Sequence, residues 1–581
     1  MTVAGSGRSL AVRLAIWLRN ARYTPKWLVL GVLIGIVAGL GAVVFTFFLD
    51  VATRLLVVDL GGYTPAGTVG DGGPAHASDF SRPWAIPLVV AAGGLAAGIL
   101  VFGFAPEAEG HGTDAAIEAV QKHPKGVRAR VTVIKTLASA LTIGSGGSGG
   151  REGPTAQISA SFGSILARKL NLTPEDSRLA VATGIGSGIG AIFRTPLGGA
   201  VLGAEILYRD DIEADALIPS VIASVTGYGI FGAITGNFGP IFGYNSDALL
   251  VGAGQVAMIA LVGVACGLLG RLYITTFYGL TNFFHRTPLP RMARPALAGL
   301  AVGALGLLVP GVLGTGYGVL QETLNRADLL DMALWAVLAL PFVKILATSL
   351  TIGSGGSAGV FGPGMVVGGA AGAGIWRLFE LAGVAPDSPA PFVIIGMTAC
   401  FGAIAHSPLA VIIMVSEMTG NLTLLPAAMV AIAIATFIVG EQTIYKSQLV
   451  SRADVDWEAL GEGPGTAGGQ PGEQPGEQPE TPGIRVEALG DRLAYTARIE
   501  SVTMTPDDWG LRGGPEVAWA SRELNAALRE AVNEPGSTRD SVRTRMDAVL
   551  ARMVDPRDNP EPGAALGRML DLLFGAGKAR P

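Results

Sequence analysis

An internal duplication limits what this chain can fold into more than any other feature. Residues 135–157 read KTLASALTIGSGGSGGREGPTAQ, and residues 344–366 read KILATSLTIGSGGSAGVFGPGMV. A shift of 209 positions superposes the two strings and sets the charged pair Arg151-Glu152 against the apolar pair Val360-Phe361. A second related pair of strings follows, AIFRTPLG from Ala191 and AIAHSPLA from Ala403. The chain is therefore built from two related halves.

The composition is that of a membrane protein with many spans. Half of the 581 residues are hydrophobic, 15% are charged, and the mean hydropathy is +0.48, which is too apolar for a soluble chain of this length. The net charge of -5 argues against a nucleic-acid partner. The two cysteines, Cys266 and Cys400, lie in apolar runs without metal-ligand spacing, so we interpret them as packing residues.

The distribution of charge predicts how the chain crosses the membrane. Residues 1–26 are basic and predict a cytoplasmic interfacial helix, and apolar runs at about 27–56 and 84–104 predict two spans. Residues 59–83 carry only aspartates as full charges until Arg82, so we expect this loop outside. We expect the later basic clusters on the cytoplasmic side. The pattern predicts a multi-pass protein of the cell membrane with both termini cytoplasmic.

Composition also divides the chain into four predicted parts. These are the interfacial helix 1–26, a membrane domain 27–450 with repeats at about 84–235 and 292–449, a Pro/Gly-rich linker 451–483, and a cytoplasmic tail 484–581. In the polar tail we predict helices at about 521–532 and 541–553. No chemistry can be assigned to it.

Gly-rich strings at 144–150, 184–190 and 353–359 interrupt the apolar segments. Broken helices in repeated halves are typical of transport proteins, and non-helical backbone inside a bilayer must be buried in protein or line a water-filled cavity. A Gly-rich turn before a helix offers free N–H groups to an anion. A nucleotide-binding loop is disfavoured, because it would continue Gly-Lys-Ser/Thr and the first string continues Gly-Arg-Glu-Gly-Pro. Two such helix starts, with a third at residues 110–114, can converge on one desolvated anion.

Three motifs together resemble the signature of the CLC family of chloride channels and proton-coupled chloride exchangers. They are GREGP at 150–154, GVFGP at 359–363, and Tyr445 just after the last apolar run. The resemblance covers about residues 10–450, and no paired nucleotide-binding (CBS) repeats are recognised in the tail. It implies an all-α polytopic membrane protein with two inverted-topology repeats of tilted and broken helices. It also implies a homodimer with one pore per subunit.

The resemblance implies roles for individual residues. Glu152 would be the gating glutamate, whose carboxylate occupies the outer anion site and leaves when protonated or displaced; a helix-capping carboxylate is the alternative. The Tyr445 hydroxyl and the amides of Val360 and Phe361 would line the central site, with a packing role as the alternative for Tyr445. We expect Arg151 to pair with a carboxylate or with carbonyls, because a full charge beside the anion would trap it. The backbone of the three strings completes the predicted anion path: Gly110, His111, Gly112, Gly150, Arg151, Gly153 and Gly359.

One departure from the family pattern concerns the first motif. The family usually has Gly-Ser-Gly-hydrophobic-Pro, with the serine hydroxyl donating to the central anion, whereas this chain has Gly110-His111-Gly112-Thr113-Asp114. Two alternatives are open: the His111 ring N–H donates to chloride, or the ring turns away and leaves only backbone donors. An ordinary imidazole pKa of about 6.5 would make a histidine contact pH-dependent. The proline associated with nitrate preference is absent, so we expect chloride.

A second departure concerns proton coupling. The internal proton acceptor of the family's exchangers is a glutamate directly after the position of Glu205, and here that position is Ile206. An apolar residue there resembles the family's channels.

We therefore predict a passive, voltage- or pH-gated chloride channel without a cofactor. A chloride/proton antiporter that uses another internal proton route is the alternative. A fluoride exchanger is disfavoured, because the family's fluoride branch typically has methionine at the position of Ile206 and asparagine in its first motif. An intramembrane enzyme that uses His111 with Ser145 or Glu152 is a remote third, since the chain has no HExxH motif and the duplicated strings would have no purpose in it.

Overall fold

The fold is known from a computed structural model that describes residues 22–244, 253–457, 460, 485–488, 499–503, 524, 527–528, 539–553 and 566. The chain forms two compact units, Met1–Gly461 and Glu462–Pro581. Most of the predicted interfacial helix 1–26 lies outside the described residues, and the helix that follows it already begins at Tyr23.

The first half of the membrane unit is a succession of helices of very unequal length. The helices are α1 Tyr23–Thr53, extended by a π-helical segment Arg54–Leu60, α2 Ala85–Phe104, α3 Thr113–Lys122, α4 Ala129–Gly144, α5 Glu152–Leu170, α6 Pro174–Phe193, α7 Pro196–Glu205 and α8 Leu217–Thr235. The long apolar helices predicted at 27–56 and 84–104 are confirmed as α1 and α2.

The second half repeats this order of helices, with one additional short helix, α12 (Arg326–Asp331). They are α9 Ala253–Arg286, α10 Arg294–Leu308, α11 Tyr317–Thr323, α12 Arg326–Asp331, α13 Leu334–Gly353, α14 Phe361–Leu381, α15 Ala390–Ala405, α16 Pro408–Thr419 and α17 Leu425–Val439. Helix α5 packs on α6 as α14 packs on α15, and α1 packs on α8 as α9 packs on α17. The all-α membrane fold with two repeated halves is confirmed.

Only some of these helices can cross a bilayer. Within the described ranges, six helical segments are long and apolar enough: Tyr23–Leu60, Ala85–Phe104, Ala214–Thr235, Gln255–Arg286, Arg291–Leu308 and Leu334–Gly353. The apolar helices Ala390–Ala405, Pro408–Thr419 and Leu425–Val439 are shorter. Spanning helices mixed with pieces too short to span confirm the broken-helix prediction.

Two of the three predicted Gly-rich breaks are confirmed. Helix α4 ends at Gly144 and α13 at Gly353. After each helix the chain turns at a glycine with a positive φ, +101° at Gly146 and +106° at Gly355. Only glycine adopts such angles without strain.

The third predicted break, at residues 184–190, is wrong. These residues lie in the interior of α6, which runs unbroken from Pro174 to Phe193. Their glycines serve close packing instead, because a Cβ at Gly186 would collide with the backbone of Gly199, and one at Gly188 would lie 2.6 Å from the Thr155 carbonyl oxygen. Small residues at a helix interface allow backbones to approach in just this way.

The first residues of the predicted linker 451–483 pack against the membrane unit. Arg452 pairs with Glu213 at 3.2 Å and with Asp215 at 3.0 Å, and the Trp457 ring lies 4.8 Å from the guanidinium carbon of Arg178. The membrane unit therefore continues past residue 450, and the first compact unit ends at Gly461. The remainder of the predicted linker, apart from residue 460, lies outside the described residues.

The second unit is described only in short pieces. Strands β1 Arg485–Ala488 and β2 Ile499–Thr503 pair antiparallel, with a register irregularity between Glu487 and Ala488. Helix α18, Arg539–Met553, covers the helix predicted at 541–553. The helix predicted at 521–532 lies largely outside the described residues.

Candidate functional site

The two Gly-rich strings meet inside the membrane unit. The Gly150 N–H donates to the Gly359 carbonyl and the Gly359 N–H donates to the Gly150 carbonyl, both at 2.7 Å, in an antiparallel pair. These residues are equivalent in the two repeats, so an approximate two-fold axis passes between them. We call this pair the Gly150–Gly359 rung. Helices α5 and α14 each begin two residues after it.

Hydroxyl groups repeat the symmetry of this rung. Ser148 Oγ lies 2.9 Å from Thr348 Oγ1, and Ser139 Oγ lies 2.9 Å from Ser357 Oγ. Ser139 and Thr348 are 209 positions apart, as are Ser148 and Ser357. The same contact is thus made once from each half, which satisfies buried hydroxyls that would otherwise cost free energy.

Glu152 is the first residue of α5, and its side chain is fully buried. Its Oε1 accepts a hydrogen bond from the Gly362 N–H at 2.7 Å, and its Oε2 accepts one from the Tyr317 hydroxyl at 3.4 Å. Gly362 lies in the first turn of α14, so the carboxylate occupies the N-terminus of a helix from the other repeat. Free amides and the helix dipole favour negative charge there.

Arg151 points away from the rung toward the loop 61–83. Its Nη2 lies 3.0 Å from Asp71 Oδ2, and the other oxygen of Asp71 lies 2.8 Å from Arg194 Nη2. Of the two expected partners, a carboxylate is therefore found. Arg151 is almost fully buried, and its charge is compensated by Asp71 rather than offered to an anion.

His111 and Tyr445 face each other. Their ring centroids are 5.5 Å apart, and both side chains are buried. Among the described residues, neither His111 Nδ1 nor the Tyr445 hydroxyl has a hydrogen-bond partner. Two buried polar atoms without partners are costly unless a ligand or water satisfies them. The ring of His111 lies between Tyr445 and Phe277, with centroid distances of 5.5 and 5.6 Å.

Two buried lysines hold the loops on either side of the rung. Lys135 Nζ donates to the carbonyls of Ala108 and Gly110 at 3.1 and 2.8 Å. Lys344 Nζ donates to the carbonyls of Val312 and Gly314 at 3.1 and 2.9 Å. Lys135 and Lys344 begin the two duplicated strings, and both side chains are fully buried. Each lysine fixes the loop that precedes a short helix, α3 in one half and α11 in the other.

The other predicted positions surround these groups. Gly110 pairs with Ser357, and a Cβ at Gly112 or Gly153 would collide with neighbouring backbone. Val360 and Phe361 are buried at the start of α14, where the first amides have no acceptor within their own helix. Ile206 is fully buried, and its carbonyl accepts from Gln448 Nε2 at 2.9 Å.

A cavity of about 540 Å³ lies beside Arg151 and Tyr317, under the loop 61–83. Its charged lining residues are Asp50, Arg54, Asp71, Arg151 and Glu322. His76 of the loop lies 3.6 Å from Glu322. Burial raises the pKa of the Glu322 carboxyl, and the nearby His76 opposes this shift.

Four residues that contribute to the site were not predicted from the sequence. Asp71 gave no signal, because a single aspartate in a loop is ordinary. Lys135 and Lys344 begin the duplicated strings, yet the carbonyls that they contact lie in loops 25 to 32 positions earlier in the chain. Tyr317 follows a Gly-x-Gly spacing, Gly314 and Gly316, like that of Gly110 and Gly112.

The sequence profile of the voltage gated chloride channel family matches residues 93–440. A putative chloride channel protein ClcB-like from Ralstonia nicotianae is 33% identical over 381 residues, which is 64% of this chain and 87% of that protein. A voltage-gated ClC-type chloride channel ClcB from Salmonella typhimurium is 30% identical over 416 residues, 71% of this chain and 95% of that protein.

Solved structures share the fold. A slow cyanobacterial Cl-/H+ antiporter superposes with a TM-score of 0.60 at 22% identity, covering 75% of this chain and 98% of the antiporter chain. A CLC-type fluoride/proton antiporter superposes with a TM-score of 0.59 at 19% identity, covering 76% of this chain and all of the other.

Proposed function

Because this chain belongs to the voltage-gated chloride channel (CLC) family, we propose that it moves chloride across the cell membrane along a path gated by Glu152. The observation that carries the proposal is the position of the Glu152 carboxylate on the first turn of α14. The Glu152 carboxylate comes from the first repeat and occupies the N-terminus of helix α14 in the second repeat. A helix N-terminus also suits a free anion. Chloride can enter this position only when the carboxylate leaves it.

The central site lies between His111 and Tyr445. The buried Nδ1 of His111 and the hydroxyl of Tyr445 both lack partners among the described residues, and both donate hydrogen bonds when Nδ1 carries the proton. The amides of Val360, the N-cap residue of α14, and of Phe361, its first residue, supply further donors. Neutral donors suit transport, because an anion held by partial charges can leave again.

We propose that the flux is passive. Ile206 is buried and apolar, so it offers no proton site between the inside and Glu152. Relatives at 30% identity bear the name chloride channel. An antiporter remains the second candidate and would need protons to reach Glu152 by another route.

The assembly we propose is a homodimer in the cell membrane, with one path per subunit, both termini cytoplasmic and no cofactor. Helices α7, α8 and α16 support this proposal, because they expose large apolar side chains, including Leu197, Ile218 and Leu409. Such a surface fits a lipid or protein partner better than water.

The test uses purified protein in liposomes loaded with chloride. When a potassium ionophore balances charge, we expect chloride to leave, and Glu152→Gln to change the pH response or gating while flux persists. Glu118→Gln is the matched control, since Glu118 pairs with Lys122 on the partly exposed helix α3. An unchanged pH response and an unchanged rate in Glu152→Gln would remove Glu152 as the gate.

A second measurement separates the channel from the antiporter. A passive path reverses at the chloride equilibrium potential whatever the proton gradient. A reversal potential that shifts with pH at fixed stoichiometry, or uphill proton movement driven by chloride, would establish exchange instead.

A further inference from the structure

The loop before α11 is a second copy of the first anion motif. Gly314-Thr315-Gly316-Tyr317 matches Gly110-His111-Gly112-Thr113 in spacing, and each string ends at the first residue of a short helix. The four glycines all have positive φ: Gly110 +76°, Gly112 +71°, Gly314 +57° and Gly316 +80°. Lys135 holds the first copy and Lys344 the second, in each case through two carbonyls.

The two copies lie on opposite sides of the Gly150–Gly359 rung, and each has different neighbours. The first copy brings His111 to Tyr445. The second brings the Tyr317 hydroxyl to 3.4 Å from Glu152 Oε2. A Cβ at Gly362 would collide with this hydroxyl. Glycine at position 362 therefore allows the tyrosine to reach the first turn of α14.

The Tyr317 side chain is buried and fixed in place. It is 3% exposed. The Arg151 guanidinium carbon lies 5.5 Å from its ring centroid, and the rings of Phe193 and Phe242 meet it edge-on at 6.1 and 6.0 Å. A rigid ring leaves the hydroxyl little freedom to find another acceptor.

We propose that Tyr317 is an anion-contacting residue of the outer site, which donates to the Glu152 carboxylate when the gate is closed and to chloride when the carboxylate has left. The departure of Glu152 leaves two buried donors without an acceptor, the Gly362 N–H and the Tyr317 hydroxyl, and an unsatisfied buried donor is costly. Chloride in that space accepts from both. This inference rests on the proposed function of Glu152.

The experiment measures chloride binding to the purified full-length chain by calorimetry. Glu152→Ala removes the carboxylate and opens the outer site, and Glu152→Ala/Tyr317→Phe also removes the hydroxyl. We expect the outer site of the double variant to bind chloride roughly tenfold more weakly, the usual effect of losing a donor to a charged partner. The central site beside His111 and Tyr445 should keep its affinity. Glu152→Ala/Tyr63→Phe is the matched control, since Tyr63 lines the same cavity and stacks on Phe80 without contacting Glu152.

A second variant acts in the opposite direction. 3-Fluorotyrosine at position 317 keeps the ring and makes the hydroxyl a stronger donor, so it should tighten the outer site in the Glu152→Ala background. Unchanged outer-site affinity in both Tyr317 variants overturns the role of Tyr317 while leaving Glu152 as the gate. No chloride binding and no flux in the unmodified protein overturn the proposed function, and the role of Tyr317 with it.

Discussion

Glu205 and Glu417 each cap the helix that carries the other. Glu205, the last residue of α7, accepts from the N–H groups of Leu409 and Ala410 in the first turn of α16, at 3.1 and 2.7 Å. Glu417, in the last turn of α16, accepts from the N–H groups of Leu197 and Gly198 in the first turn of α7, at 3.2 and 2.8 Å. Charge-assisted hydrogen bonds thus join the C-terminal end of each short helix to the N-terminus of the other.

We expect Glu205→Gln and Glu417→Gln to destabilise the protein by similar amounts. Each substitution removes the charge from a carboxylate that satisfies two free N–H groups at a helix N-terminus, which costs about 1–2 kcal/mol. Thermal unfolding in detergent measures the loss, with Glu118→Gln as an exposed control. A large loss in one variant with none in the other would contradict the reciprocal arrangement.

Replacing His111 should weaken the central chloride site. If Nδ1 donates to the anion, His111→Ala loses roughly tenfold in chloride affinity, and Tyr445→Phe loses a similar amount. Calorimetry in the purified protein measures both. His111→Asn, which retains an N–H donor, should recover part of the affinity. Equal affinity in all three variants and the parent protein would mean that backbone donors alone hold the ion.

The two buried lysines should control different sites. Lys135→Met leaves the carbonyls before α3 without their donor and should disturb binding beside His111, whereas Lys344→Met should disturb the outer position beside Tyr317. A carbonyl left unsatisfied costs about 1–3 kcal/mol, enough to move a loop. Chloride titrations in the Glu152→Ala background resolve the two positions. Identical effects of both substitutions on both sites would show general unfolding rather than separate positioning.

Deleting residues 462–581 should leave a folded membrane unit that still moves chloride, because Gly461 ends the first compact unit. Size-exclusion chromatography and liposome flux measure the outcome. Deletion from residue 451 is the contrasting variant: it removes Arg452 and its ion pairs with Glu213 and Asp215, so it should lower the melting temperature. Loss of flux in the shorter deletion would contradict the prediction.

Much of the fold could be predicted from the sequence because the duplication is nearly literal around the rung. The helix breaks at Gly144 and Gly353 follow from strings that keep eight identical letters in a row, LTIGSGGS. The glycines at 184–190 led to a wrong prediction of a helix break. Glycine can break a helix or let two helices pack closely, and only the position of the neighbouring backbone distinguishes these two roles.

Residues of the candidate site could be predicted from the sequence where they belong to a recognisable motif. Contacts between segments that are distant in the sequence could not be predicted. Glu152 stands in a recognisable string and Tyr445 follows the last apolar run, and a carboxylate was one of the two kinds of partner expected for Arg151. That Asp71 is this carboxylate depends on the path of a loop. The equivalence of Tyr317 to the first motif was hidden because only its glycines are shared and the offset is 204 positions rather than 209.

The Gly150–Gly359 rung limits the motions available to the protein. Two hydrogen bonds at 2.7 Å join the halves through Gly150, two residues before the buried Glu152. A rocking of one half against the other, which many transporters use to expose a site alternately, would have to break both bonds in a place where water is scarce. With Glu152 as the proposed gate, opening then requires the movement of one side chain only, and the scaffold around it acts as a fixed frame.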